Sequence, residues 1–431
     1  MRKLLLMAGI LLLTNNILSQ EYVEEGRKRL NFAKTYFELG SQYTSLFIGK
    51  KIGVNNAIQS FENPASLNPF LNIGGLHFWG HADFFISIPL AQIKLNTKDS
   101  LSLNYNNSVI TGMRIMPWAY KDHKIRPYIG ASWGVVNLNQ DADSEQFVVN
   151  FSAHKILLDV GLIYGKKNLM VRLGVNYNPK NQWNYPISKT NFESINTPKF
   201  SPYFGLIYSY ESTRSKNMEK INRILNEYPN LSSPTMNATK KGDWFLGIGP
   251  STSFIVSESA YNQGVNPFFT KKPISNIFFD MALGYQFNKA GLVAVVSYRN
   301  PTFRNESFGV KQDIEKQSVV FEVFKFLTDY SGFTPYVGLN IGFDRLKFTE
   351  LSDKNNLSFD KNIVNPGLTF GWDILPGKTQ QPFVLRTNLR WFPFEKLNVN
   401  DKNFSLNQIE YNVIQVVFYP SRFKKAKLMR D

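Results

Sequence analysis

Leu76-His77-Phe78-Trp79-Gly80-His81-Ala82-Asp83-Phe84-Phe85-Ile86-Ser87-Ile88 alternates with a period of two. Leu76, Phe78, Gly80, Ala82, Phe84, Ile86 and Ile88 fall on one side, and His77, Trp79, His81, Asp83, Phe85 and Ser87 on the other. Successive side chains of a strand point to opposite faces, so the spacing predicts a strand with one apolar and one mixed face. Residues 277–287 repeat the pattern, with Ile277, Phe279, Met281, Leu283, Tyr285 and Phe287 opposite Phe278, Asp280, Ala282, Gly284 and Gln286. Stretches 169–177 and 383–391 do the same, with Arg172, Arg386 and Arg390 on the polar side. Alternation alone fits a water-soluble sandwich as well as a membrane barrel.

Punctuation favours the barrel. Candidate strands at 76–90, 101–118, 126–140, 154–166, 169–179, 201–212, 242–257, 276–287, 291–303, 313–329, 334–349, 363–375, 382–394 and 407–419 number about fourteen. Many exceed the roughly five or six residues of soluble strands. Short turns at 166–168, 288–290, 330–333 and 376–381 contrast with longer polar connections at 141–153, 180–200, 258–275, 350–362 and 395–406. Short turns at one end and long loops at the other are the pattern of outer-membrane barrels. The expected fold is therefore all-β: a transmembrane antiparallel β-barrel of about fourteen strands, with one short periplasmic helix. It has sixteen strands if 35–48 finds a partner.

The 431 residues include 36 Phe, 20 Tyr and 7 Trp, no Cys, and a formal charge of +16. Without cysteine, a disulfide scaffold, a thiolate metal site and a cysteine nucleophile are excluded. Arg2 and Lys3 precede an apolar run over 4–13, too short to span a bilayer, which reads as an export leader cleaved after Ser19. The expected division is a signal peptide over 1–19, a plug or periplasmic extension over 20–75, the barrel over 76–419 and a basic periplasmic tail over 420–431. An even strand count leaves both termini in the periplasm of a Gram-negative cell.

Parity predicts what the lumen holds. Charges facing acyl chains cost several kcal/mol near the midplane, so polar-face charges belong inside. The expected network comprises His81, Asp83, Arg114, Arg172, Asp280, Asp344, Asp373, Arg386 and Arg390, with Lys155, Asp159, Arg299 and Glu322 of the same parity. Signs balance, so the charges should pair and fill or narrow the barrel. Over 217–228, Met218, Ile221, Leu225 and Tyr228 recur at helical spacing, which suggests a helix that docks a periplasmic or outer-membrane partner or packs on its own barrel. No contiguous hydrolase, metalloprotease or phosphate-loop motif is present, so an enzyme, a cofactor and a metal are not expected. The basic excess suits loops facing lipopolysaccharide phosphates and outer-membrane lipid, with no nucleic-acid partner.

The chain resembles the outer-membrane β-barrel proteins of Bacteroidota. The resemblance is carried by Gln20 after the cleavage site, Gly80-His81-Ala82-Asp83-Phe84-Phe85-Ile86-Ser87-Ile88-Pro89, and Asn/Lys-rich loops. It also rests on the strand openings Pro127-Tyr128-Ile129-Gly130, Pro202-Tyr203-Phe204-Gly205 and Pro335-Tyr336-Val337-Gly338. Asn63-Pro64-Ala65 is similar to a segment of fourteen-stranded fatty-acid channels and their secretion-system relatives. That resemblance implies either a non-catalytic subunit of an outer-membrane assembly or secretion complex, or a channel for small solutes or hydrophobic molecules.

Overall fold

A strand leaves one row of backbone groups unpaired at each edge, and in a membrane only closure of the sheet removes that cost. A computed structural model of the chain describes residues 23–24, 27–28, 33–52, 57–95, 103–140, 149–211, 242–288, 290–327, 333–353, 356–374 and 382–422. Within it the sheet closes twice. The first ring consists of β1 (Ala33–Thr44), β2 (Ser66–His77), β3 (Ala82–Pro89), β4 (Ile110–Ile115), β5 (Arg126–Gln140), β6 (Val149–Lys166), β7 (Leu169–Tyr177) and β8 (Phe200–Glu211). Each strand pairs antiparallel with the next, and β8 returns to β1, with Gly205 opposite Gly40.

The second ring repeats the plan with β9 (Gly242–Ile255), β10 (Phe278–Phe287), β11 (Leu292–Arg299), β12 (Val310–Phe326), β13 (Phe333–Leu351), β14 (Asn356–Ile374), β15 (Phe383–Phe392) and β16 (Gln408–Phe418). Here β16 returns to β9, with Val417 opposite Gly247. The all-β antiparallel transmembrane barrel expected from the alternation is present; with the 35–48 segment paired, its wall strands number sixteen, and they close as two rings of eight and not as one ring. Periodicity reports which face a side chain takes; it carries no information on which distant strand closes the circle.

Two further expectations are corrected. The segment 20–75 is not a separate plug or extension: its described residues supply β1 and most of β2, whose partners run from Ala33↔His77 to Thr44↔Ser66, and between them a hairpin of Phe47–Ile52 with Ile58–Asn63. Residues 76–90 are not one strand, because Phe78–Gly80 form a 3-10 turn with φ of 53°, 62° and 81°. That left-handed turn shifts the inward face from even positions in β2 to odd positions in β3, which continuous alternation conceals. The expected leader over 1–19, the helix over 217–228 and, from residue 423 onward, the tail expected over 420–431 lie outside the described residues.

Outward faces set the membrane band. On β13, Val337, Leu339 and Phe343 point outward and are exposed, and Arg345 takes the next outward place. Val319 and Val364 lie beside Phe343, and Gln317 and Asn362 beside Arg345, so three strands change from apolar to polar at one level. At about 3.3 Å per residue, strands of 19 residues such as β13 and β14 continue far beyond that level. They form a wall on the end opposite the short turn between β6 and β7.

The two rings also repeat one internal packing device. Tyr128 on β5 lies opposite Gly161 on β6, and Tyr336 on β13 lies opposite Gly371 on β14. A Cβ on Gly161 would meet the Tyr128 hydroxyl and the Leu173 carbonyl, and one on Gly371 the Tyr336 hydroxyl and the Thr387 carbonyl. Gly161→Ala and Gly371→Ala are each expected to lower the stability of their own ring by about 1–3 kcal/mol. Urea unfolding in detergent would check this, and an unchanged midpoint would contradict the packing.

Candidate functional site

Eight strands enclose a space just wide enough for side chains to fill. In the first ring it is filled by charge. Arg172 bridges Glu38 (2.6 Å) and Asp83 (2.8 Å), while Arg114 bridges Asp159 (2.5 Å) and Asp83 (3.2 Å). Tyr36 donates to Asp83 Oδ1 at 2.6 Å, Tyr203 donates to Asp159 Oδ1 at 2.9 Å, and the hydroxyls of Tyr203 and Tyr128 meet at 2.5 Å. All of these groups are buried. The Pro-Tyr-x-Gly openings of β5 and β8 thus place their tyrosines in this network.

The second lumen is built alike. Arg390 bridges Asp280 (2.5 Å) and Glu322 (2.7 Å), and Arg386 forks onto Asp373 at 2.7 and 2.9 Å. Arg299 pairs with Glu410. Lys316 sits among Asp344 (2.9 Å), Glu395 (3.0 Å) and Glu410 (3.9 Å). Arg172 and Arg386 hold equivalent places, each with its guanidinium carbon 5.7 Å from the centre of the Tyr128 or Tyr336 ring.

Of the residues that parity placed inside, the structure divides Asp83, Arg114 and Arg172 from Asp280, Asp344, Asp373, Arg386 and Arg390 between the two lumens. His81 joins neither: its Nδ1 lies 2.9 Å from the Met116 carbonyl beside the β2–β3 turn. Sequence reasoning missed Glu38 and Tyr36, because they lie in the segment read as a plug. It also passed over Lys316 and Glu410, although both lie within the expected strands 313–329 and 407–419 and Lys316 shares the parity of Glu322. Glu395 follows the end of β15 and had no periodic signal.

Apolar clusters cover both lumens at the loop end. Phe47, Phe61, Trp183, Tyr185 and Ile195 close the first, and Tyr261, Phe303, Phe348, Leu397 and Phe404 the second. Burial pushes the Glu395 carboxyl up to about 7 against the pull of Lys316, with Asp344 adding to the rise. A carboxyl raised in the fold favours the protonated state, so its contribution is full below the ordinary value and is lost as pH rises through about 7. Stability of the second ring is therefore expected to fall between pH 5 and 8. Glu395→Gln should flatten that slope, and urea midpoints in the two buffers would test it.

The rings touch side by side. Trp133 of β5 lies 4.5 Å from Phe254 of β9, and Tyr411 of β16 donates to Thr111 Oγ1 of β4 at 2.9 Å. Higher up, the Ser152 amide donates to Thr270 Oγ1 at 3.2 Å.

No family model and no curated protein matches this chain. Solved structures do. The chain is similar to outer-membrane β-barrels. Neisserial surface protein A is 13% identical, with 41% of this chain and 96% of that one covered at a TM-score of 0.30. Ail of Yersinia pestis is 18% identical, with 42% and 99% covered and a TM-score of 0.27. OmpT, an outer-membrane protein of Vibrio cholerae, is 8% identical, with 90% and 97% covered and a TM-score of 0.18. These likenesses concern the fold. One expectation is corrected here: the exclusion of enzymatic activity does not stand, because the absence of a contiguous motif decides nothing for a barrel. The exclusion rested on missing contiguous motifs, whereas on a barrel side chains far apart in sequence meet from separate strands, as Tyr36, Asp83 and Arg114 do in their buried network.

Proposed function

We propose that this chain is an outer-membrane barrel protein of the Bacteroidota kind that serves as a membrane-embedded subunit of an outer-membrane assembly or secretion complex. The observation that carries this reading is the filling of both lumens by buried ion pairs beneath apolar caps. A solute path needs water-filled width, whereas a subunit needs a rigid lipid-facing body with projecting ends, and two filled rings of eight supply the latter. In this reading the turn end, where Ala33 and Arg422 both lie, faces the periplasm. The 212–241 connection then faces the same compartment, where Met218, Ile221, Leu225 and Tyr228 would meet a partner protein. The lysine-rich loops face lipopolysaccharide.

Planar bilayers and native-membrane pull-downs test the proposal together. The expected result is no stable conductance, with stoichiometric recovery of a second envelope protein that is lost on deleting 217–228 while the barrels still insert. A solute-dependent conductance of the intact chain would replace the subunit reading with transport.

A further inference from the structure

The 256–277 connection of the second ring carries a short helix, α1 (Ala260–Val265), and meets a hairpin of the first ring formed by Gln182–Pro186 and Phe192–Asn196. Between them lies a cleft of about 220 Å³ lined by Phe192, Glu258, Asn262, Gln263, Asn266 and Lys271 among others. We propose that this cleft binds a single neutral sugar ring. This inference is independent of the subunit role, since it concerns only the end that carries the loops.

The walls are fixed from behind. Asn262 and Gln312 exchange two hydrogen bonds of 3.0 and 2.9 Å, and Asn266 Nδ2 donates to Glu350 Oε2 at 2.9 Å. Tyr261 donates to the other Glu350 oxygen at 2.9 Å and packs on Phe348 and Phe404. The helix therefore cannot drift from the barrel wall without breaking a buried polar network. Such rigid support is what a small-ligand site requires.

Three features select the ligand class. The charges at the rim offset each other, with Lys271 Nζ 3.7 Å from Glu258 Oε2 and Gln263 Nε2 donating to the same oxygen at 2.7 Å, so no net field favours an ion. With both amide atoms of Asn262 and the Asn266 Nδ2 turned to the wall, the groups that face a ligand's hydroxyls are the neutralised rim of Glu258, Gln263 and Lys271, which offers both donors and acceptors. Phe192 is 42% exposed and offers an aromatic surface on which the C–H face of a pyranose can lie. The volume is below the roughly 300 Å³ at which drug-sized pockets begin, which suits one ring and not a chain. The cleft takes Phe192 from one ring and every other named lining residue from the other, so neither ring alone forms it.

The test is saturation-transfer NMR on the full chain in detergent with glucose, galactose, mannose and N-acetylglucosamine as probes. At least one should give transfer, and Phe192→Ala and Gln263→Ala should each weaken it about fivefold, the scale of one aromatic contact or one hydrogen bond. Both side chains are exposed, and heat-modifiable migration would show that the variants keep their barrels. Competition by lipopolysaccharide micelles would assign the sugar to a membrane glycan, and no competition would assign it to a free saccharide; either supports the site. The proposal is overturned if none of the four sugars binds, if both variants bind like the parent, or if triglycine binds in the cleft in their place.

Discussion

A protease site placed between Glu211 and Gly242 is expected to yield, after cleavage, two barrels that each remain folded. Every edge of the first ring is paired within Ala33–Glu211, and every edge of the second within Gly242–Phe418. The buried ion pairs obey the same division: Glu38, Asp83, Arg114, Asp159 and Arg172 serve one lumen, and Asp280, Glu322, Arg390 and their neighbours the other. Among the described residues no ion pair crosses between the rings. What crosses is aromatic packing of Trp133 and His154 on Phe254, of Trp133 on Tyr411 and of Phe84 on Trp372, one bridge between Val149 and Ser307, and hydrogen bonds such as Tyr411 to Thr111, the last worth about 1 kcal/mol each. Lipid can cover the same apolar surface, so separation exposes little that water must solvate. Both fragments should keep heat-modifiable migration and β-sheet circular dichroism when refolded apart. Loss of structure in either fragment would mean that its ring depends on its neighbour.

Arg172→Met should unfold the first ring preferentially. Its guanidinium and its partners Glu38 and Asp83 have no exposed side-chain surface, so the substitution strands two carboxylates away from water. Breaking a buried pair by removing one partner costs about 3–5 kcal/mol. Arg114 also holds Asp83, which limits the loss there and leaves Glu38 as the worse-served group. Restoring neutrality with Glu38→Gln in the same chain should recover part of the stability. Arg390→Met should transfer the effect to the second ring, because it alone joins Asp280 to Glu322. Arg345→Met, which breaks the solvent-exposed pair with Asp360, should leave both rings unchanged. Urea unfolding of the two cleaved halves measures each ring by itself, and equal loss in both after Arg172→Met would contradict the division of the networks.

Much of this was legible along the chain. The alternation at 277–287 placed Asp280 inside and Phe279 outside, and the same rule placed Arg172, Arg386 and Arg390. Such placements need only the two-residue repeat of a strand and the cost of a charge in lipid. The 76–88 stretch shows where that reasoning ends: three residues with positive φ turned the chain back, and the alternation of residue types did not register it. Glu38 and Tyr36 were missed for a related reason, since the irregular stretch around them obscured that β1 belongs to the wall.

The amino-acid order alone determined the strand character of this protein, the face each residue takes, and the balance of charge the interior must accommodate, because these depend on neighbours one or two residues away. Ring number and size, the division of the charges into two lumens, and the cleft between Phe192 and α1 were decided only in three dimensions. They depend on which strands meet at their edges, β8 with β1 and β16 with β9, and edge pairing is satisfied equally well by many circles that share the same local pattern.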